Sequence, residues 1–273
     1  MILRQKLTRQ SQMSEAFILS AFLAFSGGFQ DAYTYIVRDH VFANAQTGNV
    51  VLLSTCLLSG QWRRGLLYLF PLLAFACGVV VAEQIQARCR FSRLVHWRQG
   101  ILLLEMGILL LAGFFPAGMD TPANMLISFS CAMQVQSFRT VGGHAYASTM
   151  CIGNLRSGTA ALSAFLRTRD RGSLVLVRYY FGVILIFALG AGIGGNLSSR
   201  FGVHSIWITL IFLLIGVLLM ELDRNSSNLS EKRCTHESIS RGLRRPGTRH
   251  LLGPEEKSQG HGALLRPRQR RHF

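Results

Sequence analysis

The sequence predicts an all-α fold: a polytopic transmembrane helix bundle with two inverted repeats, six full spans and two broken or re-entrant Gly-Asn segments. Three observations predict it, namely long unbroken apolar blocks, a self-similarity between the halves of the chain, and the placement of Arg and Lys. Of the 273 residues 49% are hydrophobic and only 15% charged, too apolar a balance for an ordinary soluble domain. A soluble core would be drawn from short periodic stretches, and here the apolar residues come in long runs.

The chain opens with a basic lead, 1–15, carrying Arg4, Lys6 and Arg9. A spanning helix needs roughly 20 predominantly apolar residues, because about 30 Å of hydrocarbon is crossed at about 1.5 Å per residue. Six segments meet that requirement: Ala16–Val37, Gly65–Ala82, Gly100–Phe115, Ala123–Phe138, Leu174–Gly195 and Ser205–Met220. The third and fourth are short and lean on interfacial residues such as Trp97. The first is read as an uncleaved span and not as a secretory signal, since it is too long, contains Asp31 and ends well before the small-residue run Ala43-Asn44-Ala45. Two further stretches, Val41–Gly60 and Ala145–Leu166, are moderately apolar with polar centres. After Asp223 the composition changes. Residues 224–273 hold twelve Arg or Lys with few large apolar residues, so this basic tail is expected to be disordered.

Gly48-Asn49 recurs as Gly153-Asn154, 105 residues later. The same shift lays Phe29-Gln30-Asp31-Ala32-Tyr33 on Gln134-Val135-Gln136-Ser137-Phe138, and Phe75-Ala76-Cys77-Gly78 resembles Phe187-Ala188-Leu189-Gly190 after a small insertion. The transmembrane domain, 16–223, thus divides into repeat one at about 16–115 and repeat two at about 123–221. Repeats of this kind build transporters whose binding sites lie near the midplane.

The net charge of +16 is read as membrane topology, and nucleic-acid binding is excluded on the placement of the charges in lead, loops and tail. If all eight segments crossed, the loop holding Arg88, Arg90, Arg93 and Arg98 would lie opposite the basic amino terminus, against the positive-inside rule. If the two Gly-Asn segments enter and return on one side, those arginines, with Arg139, Arg167, Arg169 and Arg171, join both termini in the cytoplasm. Arg38, Arg63, Arg64 and Arg200 are left outside with Asp39 and Asp120, and the two halves become inverted copies.

Asp31 lies well inside the first block, where an ionised carboxylate is costly unless it is paired or wet. It is the first candidate for a proton or cation site. Glu105 poses the same question and suits snorkelling or helix pairing equally. In Asn44-Ala45-Gln46-Thr47-Gly48-Asn49, glycine permits non-helical backbone, and Thr47 or Asn49 can cap a following half-helix. A half-helix starting inside the membrane turns its N–H groups and positive dipole end to the cavity and favours an anionic group. The bland alternative is a tight turn or close helix packing through Gly. The second copy keeps Gly153 and Asn154 but has Ile152 in place of Thr47. With Gln30, Gln136, Arg139 and Arg156 these residues make up the candidate solute or ion path, and Asp31 is expected to pair with Arg139 or Arg156. Gly190-Ala191-Gly192-Ile193-Gly194-Gly195 satisfies GxGxxG without the strand a dinucleotide site requires, and is read as close helix contact. The six cysteines have no CxxC pairing and read as small buried hydrophobes. Neither catalytic residues, nor a metal site, nor a cofactor is expected, and the chain is not read as an enzyme.

Gly28-Phe29-Gln30-Asp31-Ala32-Tyr33, Val41 to Val50, Gln134 to Arg139 and Ala147 to Ser157 together resemble the YoaK-type family of uncharacterised bacterial multi-spanning membrane proteins. The resemblance covers about Glu15 to Asp223 and leaves out the tail. It implies an inner-membrane protein of about six spans and supplies no substrate or catalytic residue. The sequence thus points to a secondary transporter or exporter of a small, anionic solute, with membrane lipids as its other partner; the alternative is a non-transporting scaffold or sensor.

Overall fold

A computed structural model describes residues 2–89, 97–141, 144–145 and 151–222. The tail at 224–273, and Ser148, Thr149 and Met150 of the second Gly-Asn segment, lie outside the described residues. The fold is all-helical: α1 (Ile2–Val37), α2 (Gln46–Leu58), α3 (Trp62–Cys89), α4 (Trp97–Ala112), α5 (Asp120–Ser137), α6 (Cys151–Thr168) and α7 (Arg171–Phe201). A 3-10 turn, Gly202–Trp207, leads to a last helix, α8, over 208–222. Besides these, Thr140–Val141 and His144–Ala145 form a two-residue antiparallel pairing. Each of the six apolar blocks falls on a helix, and the two Gly-Asn segments fall on the two remaining ones, α2 and α6.

Two helical stretches are long and apolar enough to cross a membrane by themselves, Trp62–Arg88 and Arg171–Leu222. The second is not one rod. Gly202, at φ 59°, takes the left-handed backbone that glycine tolerates without a Cβ penalty, and the contacts on either side of it run in opposite senses. Along α7, Gly182 meets Phe17, Gly190 meets Phe25 and Gly195 meets Ile36, so α7 runs parallel to α1. Beyond the turn, Val203 meets Tyr33, Phe212 meets Phe25 and Gly216 meets Leu19, so α8 runs antiparallel to it.

Other pairings fix the remaining directions. Glu105 and Ala112 of α4 meet Gln30 and Arg38 of α1, a parallel pair. Asn124, Cys131 and Gln134 of α5 meet Arg38, Gln30 and Leu23, an antiparallel pair. Gly78 and Glu83 of α3 meet Phe129 and Gln136 of α5, again in parallel. The main packing is α1 on α7 and α3 on α5, with α2 folded on α3 and α6 on α7.

Close approach explains the two largest seams. A Cβ on Gly190 would lie 2.2 Å from the Phe25 carbonyl oxygen, and one on Gly78 would lie 2.4 Å from that of Phe129. Backbone meets backbone at both places, the geometry that small residues provide between helices. The GxGxxG run therefore serves helix contact, through Gly190 and Gly194.

Polarity is distributed the opposite way from a water-soluble bundle. Ser20, Ser26, Gln30, Thr34, Glu105, Asn124 and Ser128 are buried, while Leu185, Leu189, Ile193, Ile211, Leu214 and Leu218 are exposed along α7 and α8. An apolar exterior around a polar interior fits a hydrocarbon solvent, in which polar groups must find partners inside the protein. Cys56 and Cys131 are buried as expected, whereas Cys77 is on the apolar outer surface.

Candidate functional site

The chain climbs α1 to Arg38 and then turns at Asp39 and His40, both at positive φ. It does not continue away from the bundle. The Asn44 backbone amide donates to Asp31 Oδ1 at 2.7 Å, and Asn44 Nδ2 donates to the Gly27 carbonyl at 3.3 Å. Asp31 and Gly27 lie seven and eleven residues before Arg38, so the loop has come back about 10 to 16 Å along α1. From there α2 starts.

Asn49 holds this return in shape. Its amide donates to the Phe42 carbonyl at 2.7 Å and accepts from the Phe42 N–H at 3.0 Å, so one buried side chain satisfies both backbone groups of a loop residue. Gln46 adds a bond to the Ala43 carbonyl at 2.8 Å and accepts from Asn49 Nδ2 at 2.9 Å. Gly48 lies against the Phe42 ring, where a Cβ would come within 2.9 Å of Cδ2. The capping expected of Thr47 or Asn49 is not seen. The cap position of α2 is Ala45 with no side-chain bond, Thr47 is exposed, and Asn49 is spent on Phe42.

Asp31 takes the place of a cap from another helix. It is buried, and the amides of Asn44, Ala45 and Ala43 turn to its carboxylate. Successive N–H groups at a helix start form an anion-binding nest. The nest at α2 is therefore filled by the protein's own carboxylate, and the anionic group favoured at this end from the sequence is Asp31 itself. The expected pairing of Asp31 with Arg139 or Arg156 is not formed. Both arginines are exposed, and among the described residues the ion pair is a different one, Arg38 with Asp120. Backbone amides offer Asp31 hydrogen bonds without burying a second charge, whose desolvation would offset the attraction.

The second Gly-Asn segment, described from Cys151 onward, matches the first at two residues and differs in its chemistry. Gly153 is the third residue of α6, as Gly48 is of α2, and Asn154 is buried as Asn49 is. Gln136, which the repeat aligns with Asp31, donates to the Glu83 carboxylate of α3. Gly153 is exposed, with none of the described residues against it, and Arg156 on the same turn is also exposed. Cys151, the first residue of α6, is within electrostatic reach of Asp31.

Beside this lies a second polar group. Gln30 Nε2 donates to Ser26 Oγ at 3.0 Å and to Glu105 Oε1 at 3.3 Å, and the Cys131 thiol donates to Gln30 Oε1 at 2.7 Å. Glu105 is fully buried and joins α4 to α1, so of the two roles open to it from the sequence, helix pairing is the one realised.

Sequence reading missed Arg38, assigning it to an outer loop. It is fully buried. Its guanidinium donates to Asp120 Oδ1 at 2.8 Å, to the carbonyls of Phe115, Pro116 and Ala112 at 2.8, 3.2 and 3.3 Å, and to the Tyr33 hydroxyl at 3.0 Å. A cation at the carbonyl end of α4 and an anion in the first turn of α5 both suit the helix dipoles. The available signal was spacing: residues 30, 34 and 38 recur at helical spacing, with Asp31 beside the first of them.

The family described as "Protein of unknown function (DUF1275)" matches residues 19–219. The chain is 25% identical over 209 residues to "UPF0700 transmembrane protein YoaK" of Bacillus subtilis (strain 168), an alignment covering 74% of this chain and 92% of that one. No solved structure matches. The match reproduces the extent of the resemblance read from the Gly-Phe-Gln-Asp and Gly-Asn motifs, from α1 to α8 and without the tail, and the relative's description agrees with the apolar exterior. The chain is a membrane protein belonging to this uncharacterised family, DUF1275.

Proposed function

We propose that the chain is a secondary transporter or exporter of a small solute, with α1, α3, α4, α5, α7 and α8 as six spans and α2 and α6 as re-entrant half-helices in two inverted repeats. The observation that carries the reading is a loop that turns back along α1 so that the amides leading into α2 close on a buried carboxylate, Asp31. Irregular backbone at membrane depth is tolerated where it is buried in protein or lines a cavity, and paired broken segments are where transporters bind solute.

The helix directions support the topology. With α1 running outward, the contacts make α4 and α7 run outward, and α5, α8 and α3 inward, which is the alternation six spans require. The seams support the repeat. Gly78 of α3 on the Phe129 carbonyl of α5, and Gly190 of α7 on the Phe25 carbonyl of α1, are the same contact with the halves exchanged. The placement of Arg and Lys favours both termini lying in the cytoplasm of a bacterial inner membrane. Lipid is the partner besides the solute; nucleic acid, a cofactor and a catalytic role have no part in the proposal.

Since Asp31 fills the nest at α2, the end left for an anionic group of the solute is that of α6, where Gly153 is open and Arg156 is exposed. Gln30, Asn44, Thr47, Gly48, Asn49, Gln136, Arg139 and Asn154 shape the path or its walls. Liposomes containing the full chain, tested with a panel of small solutes with and without a pH gradient, should show flux that Asp31→Asn abolishes. No flux from well-folded protein, or wild-type flux in the variant, removes the reading. The non-transporting scaffold is favoured by one observation, the backbone-to-backbone seams at Gly78 and Gly190, and it predicts no flux in any condition.

A further inference from the structure

The transport reading uses Asp31 and leaves a second buried carboxylate, Glu105, without a task. From Glu105 a line of polar groups runs along the α1–α5 interface: Gln30, the Cys131 thiol, then Ser128 and Asn124 of α5, and finally Asp120 with Arg38. Positions 120, 124, 128 and 131 are spaced four, four and three apart, one face of α5 over about 16 Å. Ser128 and Asn124 are fully buried, yet Ser128 Oγ and Asn124 Oδ1 have no hydrogen-bond partner. In a lipid-solvated bundle such groups are costly. Two of them one turn apart, between a carboxyl and an ion pair, provide the polar partners that buried water needs.

We infer that Glu105 is the proton-exchanging group of this protein and that Ser128 and Asn124 hold the water through which its proton reaches the Arg38–Asp120 end. The role deepens the transport reading and rests on it, making the proton the coupling ion. In the step, the O–H bond of the Glu105 carboxyl breaks and the proton passes to the adjoining water oxygen. The carboxylate left behind keeps the hydrogen bond from Gln30 Nε2, and the proton is relayed from water to water past Ser128 and Asn124. The neighbours fit such a group. Gln30, Ser26 and Cys131 are neutral; among the described residues the titratable groups near it include Cys131 from α5, in reach of both carboxylates, and Asp31 from α1. From α3 and α8 the nearby surfaces are apolar, through Ala82 and Leu213.

Infrared spectroscopy of the full chain in lipid tests this without needing the solute. At neutral pH a carboxylic acid C=O band should be present, absent in Glu105→Gln, displaced in Glu105→Asp, and shifted in D2O. Ser128→Val should slow that shift about tenfold or more by raising the barrier to water passage, while Ser128→Thr, which keeps the hydroxyl, should exchange at the wild-type rate. A wild-type spectrum without a band that Glu105→Gln removes, a band that never exchanges, or an unchanged rate in Ser128→Val overturns the inference. Solute flux on the same preparations separates the two ideas. Flux without a Glu105 band sinks the inference alone, whereas exchange without any flux sinks the coupling role together with the transporter.

Discussion

α2 and α6 both carry Gly and Asn as their third and fourth residues and differ in what stands opposite them. Before α2, the loop returns along α1 and its amides close on Asp31; at the corresponding place in the second half stands Gln136, a neutral side chain turned to Glu83 of α3. In the first segment Gly48 is covered by Phe42, and in the second Gly153 is open. Matching Gly-Asn pairs at two helix starts, the first of them closed on Asp31, teach that a few side chains set the chemistry of the two apart. Changing a seam should therefore affect both halves alike, and changing a side chain at the site should affect one.

The largest effect is expected at the seams. Gly78→Val and Gly190→Val would each drive a side chain into a carbonyl oxygen of the facing helix. Ordinary overpacking costs roughly 1–3 kcal/mol where side chains can shift, and here a backbone would have to move. Both variants should lose the folded, monodisperse species in detergent size-exclusion chromatography, to a similar degree. Gly107→Val and Gly192→Val, at glycines with open space, should retain it. A large difference between the two seam variants would break the equivalence of the halves.

Next comes Arg38, which has five donors placed on Asp120, three carbonyls and Tyr33, a set with no counterpart among the described residues of the second half. Arg38→Met leaves Asp120 and the last carbonyls of α4 unpaired, and removing one partner of a buried ion pair costs about 3–5 kcal/mol. Arg38→Lys should recover little of it, because a point ammonium cannot reproduce the planar fork. Thermal unfolding in detergent measures both; a Lys variant as stable as wild type would mean that charge alone is what matters there.

Legibility from sequence follows the same division. Helix positions were readable because a hydrocarbon solvent demands long apolar runs, and all six blocks fall on helices. The 105-residue shift was readable in the recurring Gly-Asn pair, and α2 and α6 begin at residues 46 and 151, the same distance apart. Arg38 was not, since a charged residue after an apolar block looks the same whether it meets water or caps a helix three elements further along the chain. The fate of Asp31 was half readable. Its burial followed from its place in α1, but its partners are backbone amides, which every residue has and no motif marks.

Asn49 offers a smaller effect confined to the first half. Asn49→Ala leaves the Phe42 N–H and carbonyl unsatisfied inside the return loop, at a cost of roughly 1–3 kcal/mol. Hydrogen exchange should show the amides of residues 42–46 losing protection while α7 keeps its own. Uniform loss across the bundle would mean that the loop is not an independent element of the first half.

The smallest effect belongs to the start of α7. Asp170 caps it, its carboxylate accepting from the Ser173 N–H at 2.9 Å, while the residue before α3 is the neutral Gln61. The Ser173 and Gly172 amides hold the Asp170 carboxyl below the usual carboxylate range. A group lowered by folding contributes stability that is complete above its unfolded value and is lost as the pH falls through its folded one. Asp170 is fully exposed, so the contribution is small and screened by salt. Asp170→Asn should flatten the acid side of the stability profile slightly and leave the neutral region nearly unchanged, since asparagine also caps helices well. Wild type and variant with superimposable profiles below neutral pH would show that α7, like α3, is held by its seam and not by its cap.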